Sequence, residues 1–236
     1  MPNRIFMILT LAVVLSVFAG TQAFADKSSD TLRFAITEPY RSMSPYHYPA
    51  TEASLVNRAV IQTLIGMDER TKKFYPVIAK YWKRINDTTM ELELFDDIKF
   101  HSGNKLTADD VIYTLTYTSD PKVKFRFKSR YTWIKQVEKL GPYKLRAVAK
   151  KLRSTDLMHF AFRILVVDSK IHAAYKDRTE YGRKTPIGSG PYRVTKFNRN
   201  EGVTLERWAG FKKNRYERAP IKTIKGYLPL FGLMMF

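Results

Sequence analysis

The 236-residue sequence contains no cysteine. Disulfide cross-links, thiolate metal ligands and cysteine nucleophiles are therefore excluded, and so is lipid attachment at an N-terminal cysteine. Acidic residues are scarce: 22 Asp and Glu stand against 41 Lys and Arg, a formal charge of +19. Such an excess attracts anionic surfaces within a Debye length, about 8 Å at physiological salt. Only four histidines occur, His47, His101, His159 and His172, and no two have the i, i+4 spacing of a helical metal pair. Long hydrophobic runs are missing after residue 25, so no later stretch approaches a membrane span. Gly188-Ser189-Gly190 lacks the following Lys-Ser/Thr of a phosphate-cradling loop, and Pro191 removes an N–H. Ser189 is flanked directly by glycines and so is not a nucleophile elbow. Glu91/Glu93 on a strand and Asp109/Asp110 at a helix start lack the surroundings that raise a carboxyl pKa for acid–base work. We expect no enzyme, no catalytic or metal-ligating residue and no cofactor.

What is present begins with a leader. Arg4 supplies a positive start, an apolar run follows, and Ala23-Phe24-Ala25 fits the small-x-small cleavage rule. Residues 1–25 are expected to be a secretory signal peptide cleaved after Ala25. An exported chain does not meet nucleic acid in normal traffic, so the basic charge does not predict a nucleic-acid partner. Leu32, Phe34 and Ile36 alternate as a first strand. Pro39, Ser42, Ser44 and Pro45 break it into a loop running to Ala50. Thr51 is placed to cap a helix carrying Leu55, Val56, Ala59, Val60 and Leu64 on one face, stopped by Gly66. Pro76 to Trp82 reads as a short turn or helix. Met90, Leu92 and Leu94 alternate with Glu91 and Glu93 as a half-buried strand. Lys122, Lys124, Arg126, Lys128 and Arg130 alternate with Val123, Phe125, Phe127 and Ser129, which as a strand sets five cations on one face. Residues 134–138 and 143–149 form a hairpin around Leu140-Gly141-Pro142. Met158 to Val167 is mostly apolar and is compatible with helix followed by strand, between which periodicity alone does not decide.

The segment Phe100 to Val111 is the most specific. Ser102-Gly103-Asn104 has turn chemistry. Thr107 stands at an N-cap with Asp110 three residues later as the acidic half of a capping box, and Leu106 and Val111 are spaced as a hydrophobic staple. The whole dodecapeptide resembles the "F-h-d-G-x-p-l-T-A-e-D-V" segment of the family 5 extracellular solute-binding proteins, the oligopeptide- and dipeptide-binding components of ABC importers. Other stretches agree in order: Ser44-Pro45, Leu64 to Asp68, Tyr75 to Trp82 as "x-P-x-l-A-x-x-W", Gly188 to Tyr192 as "G-T-G-P-Y", and Val203 to Arg207 as "i-x-L-e-R". Ser102 departs from the usual Asp, and Trp208 to Phe211 only loosely copies the family's pattern there.

The resemblance implies a mixed α+β chain with the periplasmic binding protein-like type II fold: a first lobe with its inserted subdomain over residues 26–236. Members are roughly twice this length, which implies that the second lobe is missing and that the reading frame is truncated. Residues 231–236 match nothing expected there. The implied function is the periplasmic substrate-binding component of an ABC transporter importing peptides or similar small solutes. The implied partners are that solute and the inner-membrane permease, with the protein a monomer. Substrate contacts are expected at Tyr48, Pro49, Ala50 and Thr51, with Tyr131 and Trp133 as aromatic walls. Truncation is expected to impair binding. The competing reading is an exported basic protein that holds an anionic polymer or membrane surface through Lys122–Arg130.

Overall fold

Period-two alternation and three sharp turns set the framework. The computed structural model describes residues 30–48, 50–183, 186–211 and 220–228; the leader, Pro49 and residues 231–236 lie outside them. Strand β1 (Thr31–Ala35) comes first, followed by a loop and helix α1 (Thr51–Val60). The chain then forms a hairpin, β2 (Ile65–Met67) and β3 (Phe74–Pro76), and continues into β4 (Ala79–Asn86) and β5 (Thr89–Leu94). Helix α2 (Ala108–Ser119) precedes the hairpin of β6 (Ile134–Gly141) and β7 (Lys144–Ala149). Helices α3 (Asp156–Phe162) and α4 (Ser169–Ala174) lead to β8 (Tyr192–Asn198), β9 (Gly202–Arg207) and β10 (Thr223–Tyr227).

These strands make two four-stranded sheets. One has the order β1-β10-β9-β8, in which β1 runs parallel to β10 and the other pairs are antiparallel. The other, β4-β5-β7-β6, is antiparallel throughout. Everything in residues 65–187 is thus inserted between the first strand of one sheet and its remaining three. Each sheet has its own core. Val56, Val60, Ile61, Val194, Val203 and Leu205 are buried between α1 and the first sheet. Leu92, Leu94, Phe100, Val111, Leu115 and Leu145 anchor the larger core of the inserted part.

The opening of α2 matches its expected chemistry. Thr107 accepts from the Asp109 N–H at 3.3 Å, the Asp110 carboxylate accepts from the Thr107 N–H at 2.9 Å, and Leu106 and Val111 are fully buried.

Three local expectations are corrected. Helix α1 begins after Ala50, with no side-chain cap, so Thr51 is a first-turn residue. Leu55 is 57% exposed and the helix ends at Val60, with Leu64 and Gly66 outside it. The stop comes from tertiary contact: the Gly190 N–H takes the Val60 carbonyl at 2.8 Å. Residues 76–82 are no helix: Pro76 ends β3, Val77 and Ile78 form a bend in which the Ile78 N–H, like that of Ala79, goes to the Leu64 carbonyl, and Ala79 to Trp82 open β4 with Trp82 opposite Leu92. The stretch Lys122–Arg130 is no strand but a loop ending in a 3-10 turn (Lys128–Arg130). Two long-range preferences override its alternation. Lys128 reaches the Thr118 carbonyl at 3.0 Å and also the Asp120 carbonyl, capping the end of α2. Phe125 turns inward against Tyr46, Tyr117 and Tyr131.

Candidate functional site

The loop between β1 and α1 is held by backbone contacts from distant segments. Tyr40 exchanges with Arg199, its N–H donating to the Arg199 carbonyl at 3.2 Å and its carbonyl accepting Arg199 Nε at 3.2 Å. The Met43 N–H donates to the Gly182 carbonyl at 2.6 Å. Gly182 is a glycine for a steric reason: a Cβ there would overlap the Ser44 backbone. Ser42, Met43, Ser44, Pro45 and Tyr46 are buried, and the Tyr46 hydroxyl donates to the Leu165 carbonyl. The loop is therefore a fixed support, from which His47, Tyr48 and Ala50 emerge.

His47 is the pivot between loop and inserted part. Its Nδ1 lies 3.0 Å from Ser44 Oγ and its Nε2 3.2 Å from the Tyr117 hydroxyl. Burial holds its pKa below the usual histidine range, partly offset by Asp177. A cleft of about 260 Å³ opens beside it, between the loop, the first turn of α1 and Arg126. Tyr48, 37% exposed, and Ala50 line it. So do Glu38 and Glu52 on one side of the charge balance and Arg41 and Arg126 on the other. Glu52 also accepts the Thr37 hydroxyl at 3.4 Å. Burial, with the Glu52 charge adding, pushes the Tyr40 phenol up to about 12, so it stays a neutral donor at any physiological pH. A cleft with fixed charges of both signs and two aromatic hydroxyls can hold a zwitterionic or amide-bearing solute. Nothing in its lining forms a nucleophile–base pair.

Of the six residues expected from sequence, the structure brings Tyr48 and Ala50 to this cleft. Thr51 is exposed at the start of α1, next to the lining residue Glu52, and Pro49 lies outside the described residues. Tyr131 and Trp133 lie elsewhere. Each is only 8% exposed. Tyr131 stands edge-on to Tyr46 at 5.4 Å, and Trp133 packs 5.4 Å from Phe160. Glu38, Arg41, His47 and Glu52 were missed although they flank the same loop; their charge against its Pro-Ser background was the available signal. Arg126 had none, since only folding brings it there.

The Phe100–Val111 segment and the Gly188-Ser189-Gly190 stretch meet nearby. The His101 N–H donates to the Gly188 carbonyl at 2.7 Å, and His101 Nε2 lies 3.0 Å from the Gly190 carbonyl. His101 is thus a linchpin between two motifs and no simple loop residue.

The sequence pattern described as bacterial extracellular solute-binding proteins, family 5, matches residues 73–226. The chain belongs to this family. The oligopeptide-binding protein AppA of Bacillus subtilis is 25% identical over 214 residues, covering 85% of this chain and 39% of AppA. The glutathione-binding protein GsiB of Pectobacterium atrosepticum is 25% identical over 208 residues, covering 87% of this chain and 39% of GsiB. The solved structure of AppA in complex with a nonapeptide shares the fold, with a TM-score of 0.76 at 20% identity over 84% of this chain and 40% of that one. The chain spans about 40% of the length of these relatives. Among the described residues no helix is long and apolar enough to cross a membrane.

Proposed function

We propose that this chain supplies one wall of the binding cleft in a periplasmic solute-binding component of an ABC importer, and that its solute is a peptide or a similar small zwitterion. The observation that carries the reading is the cleft itself: Glu38 and Glu52 face Arg41 and Arg126 around an opening where Tyr48 and Ala50 are presented by an immobilised loop. Carboxylates suit an ammonium terminus and guanidinium groups suit a carboxylate, bidentately for arginine. Thr51 extends the same wall on this reading, while Tyr131 and Trp133 support it from the core. Binding is physical and non-enzymatic. In a two-lobed binding protein closure is a hinge motion, and the closed form is what a membrane permease would read. The protein acts as a monomer, exported by its residues 1–25.

One wall alone desolvates a ligand on one side only, so affinity should be low. With residues 26–236, calorimetry is expected to find no micromolar peptide binding. NMR titration at millimolar tripeptide should still shift the resonances of Tyr48 and Ala50, and Arg126→Ala should abolish those shifts. Micromolar affinity would overturn the expectation of a one-sided cleft. Peptides that leave Tyr48 and Ala50 unmoved while perturbing another surface would overturn the site.

A further inference from the structure

Two adjoining depressions on the inserted part share no residue with the peptide cleft. One, about 510 Å³, is lined by Arg130, Arg153, His159 and Arg163. The second, about 390 Å³, is lined by Thr132, Trp133, Lys150 and Lys151. Ser129 and Arg153 line both, and no carboxylate lines either. None of the five cations forms an ion pair among the described residues. The acid whose charge reaches the lining residue His159, Asp156, is paired with Arg84.

Two of the five cations are held in place. Arg153 Nη2 lies 2.7 Å from His159 Nε2, and its guanidinium stands 5.5 Å over the Trp133 ring. Arg130 stands 4.0 Å over Phe127. Such stacking fixes a guanidinium fork before a ligand arrives, so less side-chain freedom is lost on binding. In the second depression, Trp133 is 8% exposed and its indole N–H has no partner among the described residues. A buried donor without an acceptor is uncommon and calls for one. The field of the cluster is felt by its neighbours: burial first, then Arg153 and Arg163, hold His159 below the usual range. Leu152, 61% exposed, and Met158, 41% exposed, add an apolar margin.

We propose that these joined depressions form a second binding site, for a phosphate ester carrying more than one negative charge. Five unpaired cations without a carboxylate exceed what one carboxylate neutralises. Guanidinium forks match the oxygens of a terminal phosphate, and the apolar margin accommodates the organic part of the ester. The same chemistry is offered by a soluble oligophosphate and by the phosphomonoester headgroup of phosphatidic acid.

The test titrates the full chain with inorganic tripolyphosphate by calorimetry, and with vesicles containing phosphatidic acid or of phosphatidylcholine alone by sedimentation. The variant Lys150→Gln/Lys151→Gln/Arg163→Gln removes three exposed cations of the site. The variant Lys122→Gln/Lys124→Gln/Lys135→Gln removes the same charge from exposed positions outside it. Saturable tripolyphosphate binding, weakened about tenfold or more by the first triple and less than about twofold by the second, upholds the site. Selective binding to phosphatidic acid vesicles, lost in the first triple only, upholds it with a headgroup as the source. Equal weakening in both triples reduces the effect to net charge and overturns the proposal, as does the absence of saturable binding to either probe.

Discussion

His172 sets the response of this protein to acid. Its ring is fully buried, with Nδ1 2.7 Å from the Tyr113 hydroxyl, and packs 4.9 Å from both Tyr117 and Tyr181. Burial, then the charges of His47 and Arg178, lower its pKa to about 4. An unfolded histidine titrates near 6.5, so between those values the unfolded chain binds a proton that the native one refuses. The stabilisation is complete above about pH 6.5 and is lost as pH falls toward about 4, by roughly 3 kcal/mol. Urea midpoints should therefore drop from pH 7 to pH 5, and His172→Gln should flatten that slope; an unchanged slope would assign the effect to His47, His101 and His159, which shift the same way. Gly188 is a second residue whose role is purely tertiary. A Cβ there would overlap the Val60 carbonyl at the end of α1. Gly188→Ala should cost about 1–3 kcal/mol, read as a lowered melting temperature. The place of Gly188 in a family-like motif was legible in sequence, but its near contact with a helix 128 positions earlier was not.

Among the elements, α2 shows how much a local signature can conceal. Its capping box was legible because Thr107 and Asp110 are three residues apart and need no partner elsewhere. What could not be read is that Asp110 serves two elements. One carboxylate oxygen accepts from Thr107, while the other accepts the Ser169 N–H at 3.0 Å and its hydroxyl at 2.7 Å, tying α2 to α4. Asp168 repeats the device, accepting Ser102 Oγ at 2.7 Å and Asn104 Nδ2 at 2.9 Å. Thr107→Ala should cost about 1 kcal/mol, the ordinary worth of a cap. Asp110→Ala should cost about 3 kcal/mol, because buried donors on two elements lose a charged acceptor. Comparable losses in thermal denaturation would contradict the double role. Charge alternation from Lys122 to Arg130 misled for the opposite reason: a strand needs a neighbour to pair with, and among the described residues no sheet edge receives this one.

For the whole molecule, the decisive contact joins the two ends of the described chain. β10 lies between β1 and β9, with Thr31 opposite Thr223 and Ala35 opposite Tyr227. The first sheet is therefore completed only when residues separated by nearly the whole chain come together, a slow and costly closure. The inserted sheet closes through hairpins and its own core. Ending the chain at residue 219 should expose the amides of β1 and β9 to hydrogen exchange while those of β5 and β7 keep their protection. Loss of protection in both sheets would show that the two cores fold as one unit.

The sequence by itself determined the family, the mixed α+β class, the alternating strands of the inserted sheet and the capped start of α2. Each of these depends on residue types a few positions apart. The resemblance pointed to the loop of Tyr48, Pro49, Ala50 and Thr51 as a candidate wall, and the fold brings Tyr48 and Ala50 of it to one cleft. Tertiary structure alone decided the end of α1, the inward turn of Phe125, the arrival of Arg126 at the cleft and the burial of Tyr131 and Trp133. Those outcomes rest on steric fit and hydrogen bonding between segments far apart in the chain, which no local pattern encodes.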